Sequence, residues 1–316
     1  MMPPEGTTSG TDVVSSVDVE WRRRYDRARA KLLDVRAMRA MAERIAAAGA
    51  DPAQELEVVR GGDRLGSVRR VAVFMGSFNP LTVAHTSAAD AARAALRLDA
   101  LIWGIAAISV NKERVERASL VDRVVQITAH VGNTSPGGAV AVFRPGLYAG
   151  QSNAVRANLT SDAELWFLVG FDKVVQIFDP RYYQDREAAL RELFGSTRLL
   201  VIPRGEHRAQ ALGDLLAREQ NARYASAVRY LEVAPSLASI SSSAVRQAVA
   251  DLGDSAAADP TALAGMLAPE GAALALVTGA YSPPIPLADG HLVDRYAERE
   301  AALAMPVDRL APQASD

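Results

Sequence analysis

Residues 70–85 read RVAVFMGSFNPLTVAH: a short apolar run that closes on Gly76, a turn carrying Asn79 and Pro80, and the opening of a helix. An apolar run of this length ending in glycine suits a buried parallel strand that feeds a turn. The Ala-rich stretch at 86–98 continues the helix, and ALIWGIAAI at 100–108 is a second apolar run, so the order is strand, helix, strand. That is a βαβ unit. Outward from it, further apolar runs stand at 139–143, 164–169, 198–202 and 230–233, with helical patterns at 120–129 and 186–193. The alternation predicts an α/β fold, a Rossmann-like doubly wound parallel sheet.

On the N-terminal side, Trp21, Tyr25, Ala28, Leu32, Val35, Met38, Met41 and Ile45 recur at helical spacing. They predict one long amphipathic helix whose stripe packs on the chain's own core. Residues 1–18 are rich in Gly, Ser and Thr without periodicity and read as a disordered leader. The tail after Tyr281 holds five prolines and one short helical patch and reads as peripheral. The expected organisation is a leader at 1–18, a helical extension at 19–66, a catalytic domain at 67–282 and a tail at 283–316.

Composition narrows the function. The chain has 316 residues, 49% of them hydrophobic, enough to bury a full core. A net charge of -2 supplies no global positive field for a nucleic-acid backbone or an anionic membrane, so any phosphate site must be local. The absence of cysteine excludes disulfides, thiolate metal sites and a thiol nucleophile. No run approaches bilayer length and no secretory h-region opens the chain, which points to the cytoplasm. Oligomeric state is left open, a homo-oligomer included.

The turn after the first core strand lies where open α/β sheets bind ligands, and the next helix offers unpaired N–H groups to an anion. Gly76 removes a side chain where backbone must approach a ligand, and Pro80 stiffens the turn. Thr82 and His85, three apart, share a helix face, pairing a hydroxyl with an imidazole. A plain strand-to-helix turn with a satisfied histidine accounts for the same residues one by one. Far downstream, Ser241, Ser242 and Ser243 precede Arg246 by one helical turn, a face of hydroxyls, helix N–H groups and a guanidinium suited to polyphosphate. Its structural alternative is a capped helix with a surface arginine.

Together the two segments resemble a known family. GSFNP followed by T-x-x-H is similar to the GxFxPxHxGH signature of HIGH-type nucleotidyltransferases, in the form found in nicotinamide and nicotinate mononucleotide adenylyltransferases. SISSSAVR resembles their ISSTxIR motif, and the likeness runs from about Arg70 to Tyr281 in the manner of a divergent, fungal-type branch. Ala84 stands where the family usually has glycine.

The resemblance implies transfer of AMP from ATP to a mononucleotide, with Thr82, His85 and Arg246 as the catalytic set. Gly76, Ser77, Phe78, Asn79, Ser241, Ser242, Ser243 and Arg204 would contact ATP. Lys112, Gly170, Asp172, Tyr182 and Tyr183 would serve the acceptor, with Arg123 a lesser candidate. Magnesium would ride on the ATP phosphates, with no metal site in the protein itself. The partners implied are ATP and a mononucleotide. The alternatives are a related transferase with another phosphorylated acceptor and a catalytically silent nucleotide-binding regulator.

Overall fold

The computed structural model describes residues 16–51, 54–106, 118–134, 138–202, 209–238, 240–252 and 259–304. Lys112, Arg204, the first fifteen residues of the leader and the end of the tail lie outside the described residues.

The strands are β1 (Leu56–Arg60), β2 (Arg70–Gly76), β3 (Ala100–Ala106), β4 (Gly138–Phe143), β5 (Glu164–Gly170), β6 (Thr197–Ile202) and β7 (Val228–Tyr230). They form one sheet in the order β1-β4-β3-β2-β5-β6-β7, parallel except for β1, which runs antiparallel along β4. From β2 the chain winds outward through β3 and β4, then returns to the other side of β2 to lay down β5, β6 and β7. The direction reverses between β2 and β5, the switch point at which doubly wound sheets bind ligands.

The helices are α1 (Ser16–Leu33), α2 (Val35–Ala50), α3 (Val83–Leu96), α4 (Leu120–Thr134), α5 (Tyr148–Arg156), α6 (Phe171–Phe178), α7 (Arg186–Ser196), α8 (Ala209–Leu216), α9 (Glu219–Ala222), α10 (Pro235–Ala238), α11 (Ser242–Leu252), α12 (Pro269–Thr278) and α13 (Arg295–Ala304). Alternate strand residues bury on opposite faces. Val71, Val73, Ile102, Phe167 and Val169 join one core, while Ala72, Phe74, Leu101, Trp103 and Trp166 join the other. Burial on both faces is why these strands read as unbroken apolar runs. No helix among the described residues is long and apolar enough to cross a membrane.

Three expectations need correction. The N-terminal stripe is two helices, because Asp34 breaks it: its carboxylate accepts the Ala37 N–H at 3.0 Å and caps a fresh helix. Ala28, Leu32 and Met38 do bury, in a third cluster with residues of α4, α11 and α12. The 19–66 segment is more than helical, since its β1 extends the main sheet. Nor is the tail peripheral. A two-stranded hairpin, β8 (Ile285–Pro286) and β9 (Leu292–Val293), leads to α13, whose Tyr296 is buried and donates to the fully buried Asp122 at 2.8 Å.

Candidate active site

Gly76 ends β2 and Gly170 ends β5, and the parallel register Phe74↔Leu168 sets these two ends level across the switch point. Gly76 also pairs Ile105 of β3 and Gly170 pairs Ile202 of β6, so four strand ends form one edge. The two glycine-terminated segments singled out in the sequence therefore end on the same edge of the sheet, on either side of the switch point.

Thr82 caps α3. Its hydroxyl accepts the His85 N–H at 3.4 Å, while its own N–H donates to His85 Nδ1 at 3.1 Å, a reciprocal capping box built with histidine instead of a carboxylate. Because a backbone N–H can only donate, Nδ1 acts as the acceptor, and the neutral ring then carries its hydrogen on Nε2. The imidazole rests edge-on against Phe78, centroids 5.2 Å apart, with Phe74 at 6.1 Å. Its orientation is thus set from two sides, by the cap and by the aromatic floor.

The glycine at 76 has a physical reason in the fold itself, beside the ligand approach expected of it. A Cβ there would stand 2.6 Å from Cζ of Phe78, so the missing side chain makes room for that ring. Phe78 itself adopts φ +43°, the left-handed region, which costs a bulky residue about 1–2 kcal/mol and persists only where surroundings over-determine it. Here they do. Phe74 and Trp103 pack edge-on or tilted around the ring at 5.3 and 5.2 Å. Gln126 of α4 donates to the Phe78 carbonyl and accepts the Leu81 N–H at 3.1 Å. Arg123, one turn earlier, donates to the Ser77 carbonyl at 3.1 Å. From the other side, Met266 accepts the Val83 N–H at 3.0 Å, and Gly271 passes so near that a Cβ would meet the Leu81 oxygen at 2.0 Å.

The second motif arrives at the same place. Ser241 accepts the Ala244 N–H at 3.1 Å and so caps α11, with Ser242 and Ser243 in the first turn. Arg246 then reaches back to donate to the Asn79 carbonyl at 3.0 Å and to the Ser243 hydroxyl at 3.2 Å. The Asn79 side chain accepts from the buried hydroxyl of Tyr281. Burial pushes that phenol well above its ordinary value, keeping it a donor. Burial also pushes the Arg123 guanidinium down, opposed by Tyr281, Tyr296 and Asp122. The turn after β2 and the start of α11 thus carry a helix N-terminus, hydroxyls, an imidazole and an arginine, a donor-rich set fit for phosphate oxygens.

On the β5 side, Gly170 is the N-cap of α6 and Asp172 lies exposed in its first turn. Tyr183 donates its hydroxyl to the Ile177 carbonyl at 2.7 Å, and burial pushes its phenol up to about 12. Its polar end is committed to holding α6. Tyr182 is 37% exposed. Arg246 joins Ser243 to the loop at Asn79, three residues before the Thr82–His85 cap, whereas Tyr182 and Tyr183 stand beyond the C-terminus of α6. Sequence reasoning missed Gln126 and Tyr281. Gln126 sits in an apolar helical pattern with nothing local to mark it, and Tyr281 lies just past the end of α12.

The chain is similar to several known proteins. The chain matches the cytidylyltransferase-like family model over residues 73–248, more than half its length. A relative described as a probable nicotinate-nucleotide adenylyltransferase, from Gloeobacter violaceus, is 30% identical over 164 residues, covering 50% of this chain and 73% of the relative. Two solved structures of Plasmodium falciparum nicotinic acid mononucleotide adenylyltransferase, one complexed with NaAD and one with APC, show 14% and 15% identity. Their TM-scores are 0.49 and 0.45, and each comparison covers 67% of this chain and 97% of the other. By its strand order, its two motifs and its family match, the chain belongs to the cytidylyltransferase-like family within the HIGH-type nucleotidyltransferases.

Proposed function

We propose that the chain transfers the adenylyl group of ATP to nicotinate or nicotinamide mononucleotide, releasing pyrophosphate and the dinucleotide. The observation that carries the reading is the junction at Asn79, where Arg246 of the serine-rich motif grips the backbone of the GSFNP loop. That junction holds the two segments against each other, which supports a shared polyphosphate site. The name of the Gloeobacter violaceus relative supports the choice of acceptor.

In this reading an acceptor phosphate oxygen attacks the α-phosphorus in line, a new P–O bond forms, and the bond to the bridging oxygen of pyrophosphate breaks. The acceptor phosphate is anionic at neutral pH, so no general base is needed and the protein's work is alignment and charge stabilisation. His85 donates from Nε2 to a phosphate oxygen as charge builds. Ser242, Ser243 and Arg246 hold the β- and γ-phosphates and the leaving pyrophosphate. Asp172 and Gly170, across the switch point, face the acceptor nucleotide, and Lys112 and Arg204 add their charges to acceptor phosphate and ATP. Magnesium enters with the ATP phosphates as part of the substrate.

The test is to incubate the protein with ATP, magnesium and each mononucleotide in turn and separate the products by chromatography. NAD or its deamido form, with equimolar pyrophosphate, is the expected result. Binding of ATP with neither dinucleotide formed would transfer the reading to another phosphorylated acceptor of the family.

A further inference from the structure

The geometry points to Gln126 as the residue that sets the shape of the phosphate loop, a positioning residue for the reaction proposed above and dependent on that reading. Gln126 is fully buried on α4. Its Oε1 accepts the Leu81 N–H at 3.1 Å and its Nε2 donates to the Phe78 carbonyl. The side-chain amide therefore spans the Asn79–Pro80 dipeptide, bonding the residue before it and the residue after it. Only one orientation of the amide satisfies both groups, since the N–H needs the oxygen and the carbonyl needs the nitrogen.

The turn has reason to need such a bridge. Pro80 has no N–H of its own, and Phe78 is held in a left-handed conformation that it would otherwise leave. The Phe78 carbonyl and Leu81 N–H are buried polar groups that must be bonded, and Gln126 serves both at once. One residue past Leu81 is Thr82, whose N–H fixes His85 Nδ1. The chain of contacts from Gln126 through Leu81 and Thr82 thus ends at the imidazole. Arg123, on the same helix face, extends the hold to the Ser77 carbonyl. Two residues of α4 in this way hold the loop by three hydrogen bonds.

The experiment uses the full chain and two substitutions. Gln126→Leu removes both hydrogen bonds. Gln126→Glu keeps an oxygen for the Leu81 N–H and, ionised, offers the Phe78 carbonyl only a second acceptor, whereas protonated it can still donate there; assayed at alkaline pH, it is the variant that decides if Gln126→Leu fails to fold. Trp103, whose ring lies 5.2 Å from Phe78, gives a fluorescence signal for titration with ATP at a temperature well below unfolding. Folded Gln126→Glu is expected to need about tenfold more ATP at its midpoint and to turn over at least about tenfold more slowly, the scale set by small misplacements of reacting groups.

A residue that merely stabilised the fold would lower the melting temperature and leave the ATP midpoint and kcat at the wild-type values, and that outcome overturns the proposal. Should the wild type bind ATP yet make neither dinucleotide, the acceptor reading fails, while the ATP midpoint of the variants still decides the role of Gln126.

Discussion

At Asn79 two side chains from distant parts of the sequence converge, Arg246 on the carbonyl and Tyr281 on the amide oxygen. Around that node the individual residues make separable predictions. His85 Nδ1 caps the Thr82 N–H, and in the proposed reaction its other nitrogen is the one that would serve the phosphates. His85→Ala is expected to lower turnover by roughly 100-fold or more, as for loss of a transition-state donor. The same change should lower stability by only about 1 kcal/mol, the worth of a helix cap. Steady-state rates and urea titration on one preparation give both numbers, and unchanged turnover would end the phosphate role. Gly76→Ala is different in kind. Its new methyl collides with the Phe78 ring, so about 1–3 kcal/mol of stability should be lost, measurable as a fall in the denaturation midpoint.

At the scale of elements, α4 is where the others meet. Toward its N-terminus Asp122 receives Tyr296 and Arg299 of α13, its middle holds the loop through Arg123 and Gln126, and one turn further His130 approaches α1 and α12. Glu270 of α12 is fully buried, gripped by Arg24 at 3.0 and 2.8 Å, by Asn133 at 3.1 Å and by His130 at 3.2 Å. Burial alone would raise its carboxyl, but the hydrogen bonds and charges of His130 and Arg24 outweigh that and hold it at about 2.

Because the folded value lies below the ordinary 4.5, this contact contributes stability that is complete above about pH 4.5 and drains away as pH falls toward 2. Removing the cation leaves a buried charge unpaired. Arg24→Ala is therefore expected to cost about 3 kcal/mol near neutral pH and to flatten the acid limb of stability below pH 4.5. Urea midpoints across that range would show it, and a variant retaining the wild-type acid limb would remove Glu270 from the account.

For the whole molecule, the two chain extensions close on each other over α4. Arg299 pairs with Asp122 at 2.8 Å and also donates to the Leu32 carbonyl at the end of α1, at 3.2 Å, while Arg39 of α2 donates to the Ala302 and Leu303 carbonyls of α13. The N-terminal and C-terminal helices are therefore packed on each other and on α4, the helix that also holds the loop. Arg299→Ala leaves Asp122 a buried carboxylate with hydroxyl donors but no cation and should destabilise by about 3 kcal/mol, with α1 and α13 losing amide protection together in hydrogen exchange. Protection lost in α13 alone would show that the two ends are independent.

Much of this architecture was legible in the sequence because its signals are local. Burial on both faces writes a parallel strand as an apolar run, and a glycine-closed run before a helix marks a ligand-binding edge. Thr82, His85, Ser241, Ser242, Ser243 and Arg246 could be named for the same reason, each motif being a short segment with its own periodicity. What tertiary structure alone decided are pairings between segments that no local pattern links. Asp34 could be seen to cap only once the helix axis was seen to break there. Gly76 answers to Phe78 and Gly271 to Leu81, and Asp122 to Arg299, because a side chain's partner depends on which surfaces the fold brings within hydrogen-bond or van der Waals reach. Gln126 looks in sequence like one more residue of a helix, and it is the docking of α4 beneath the turn that gives its amide two backbone groups to hold.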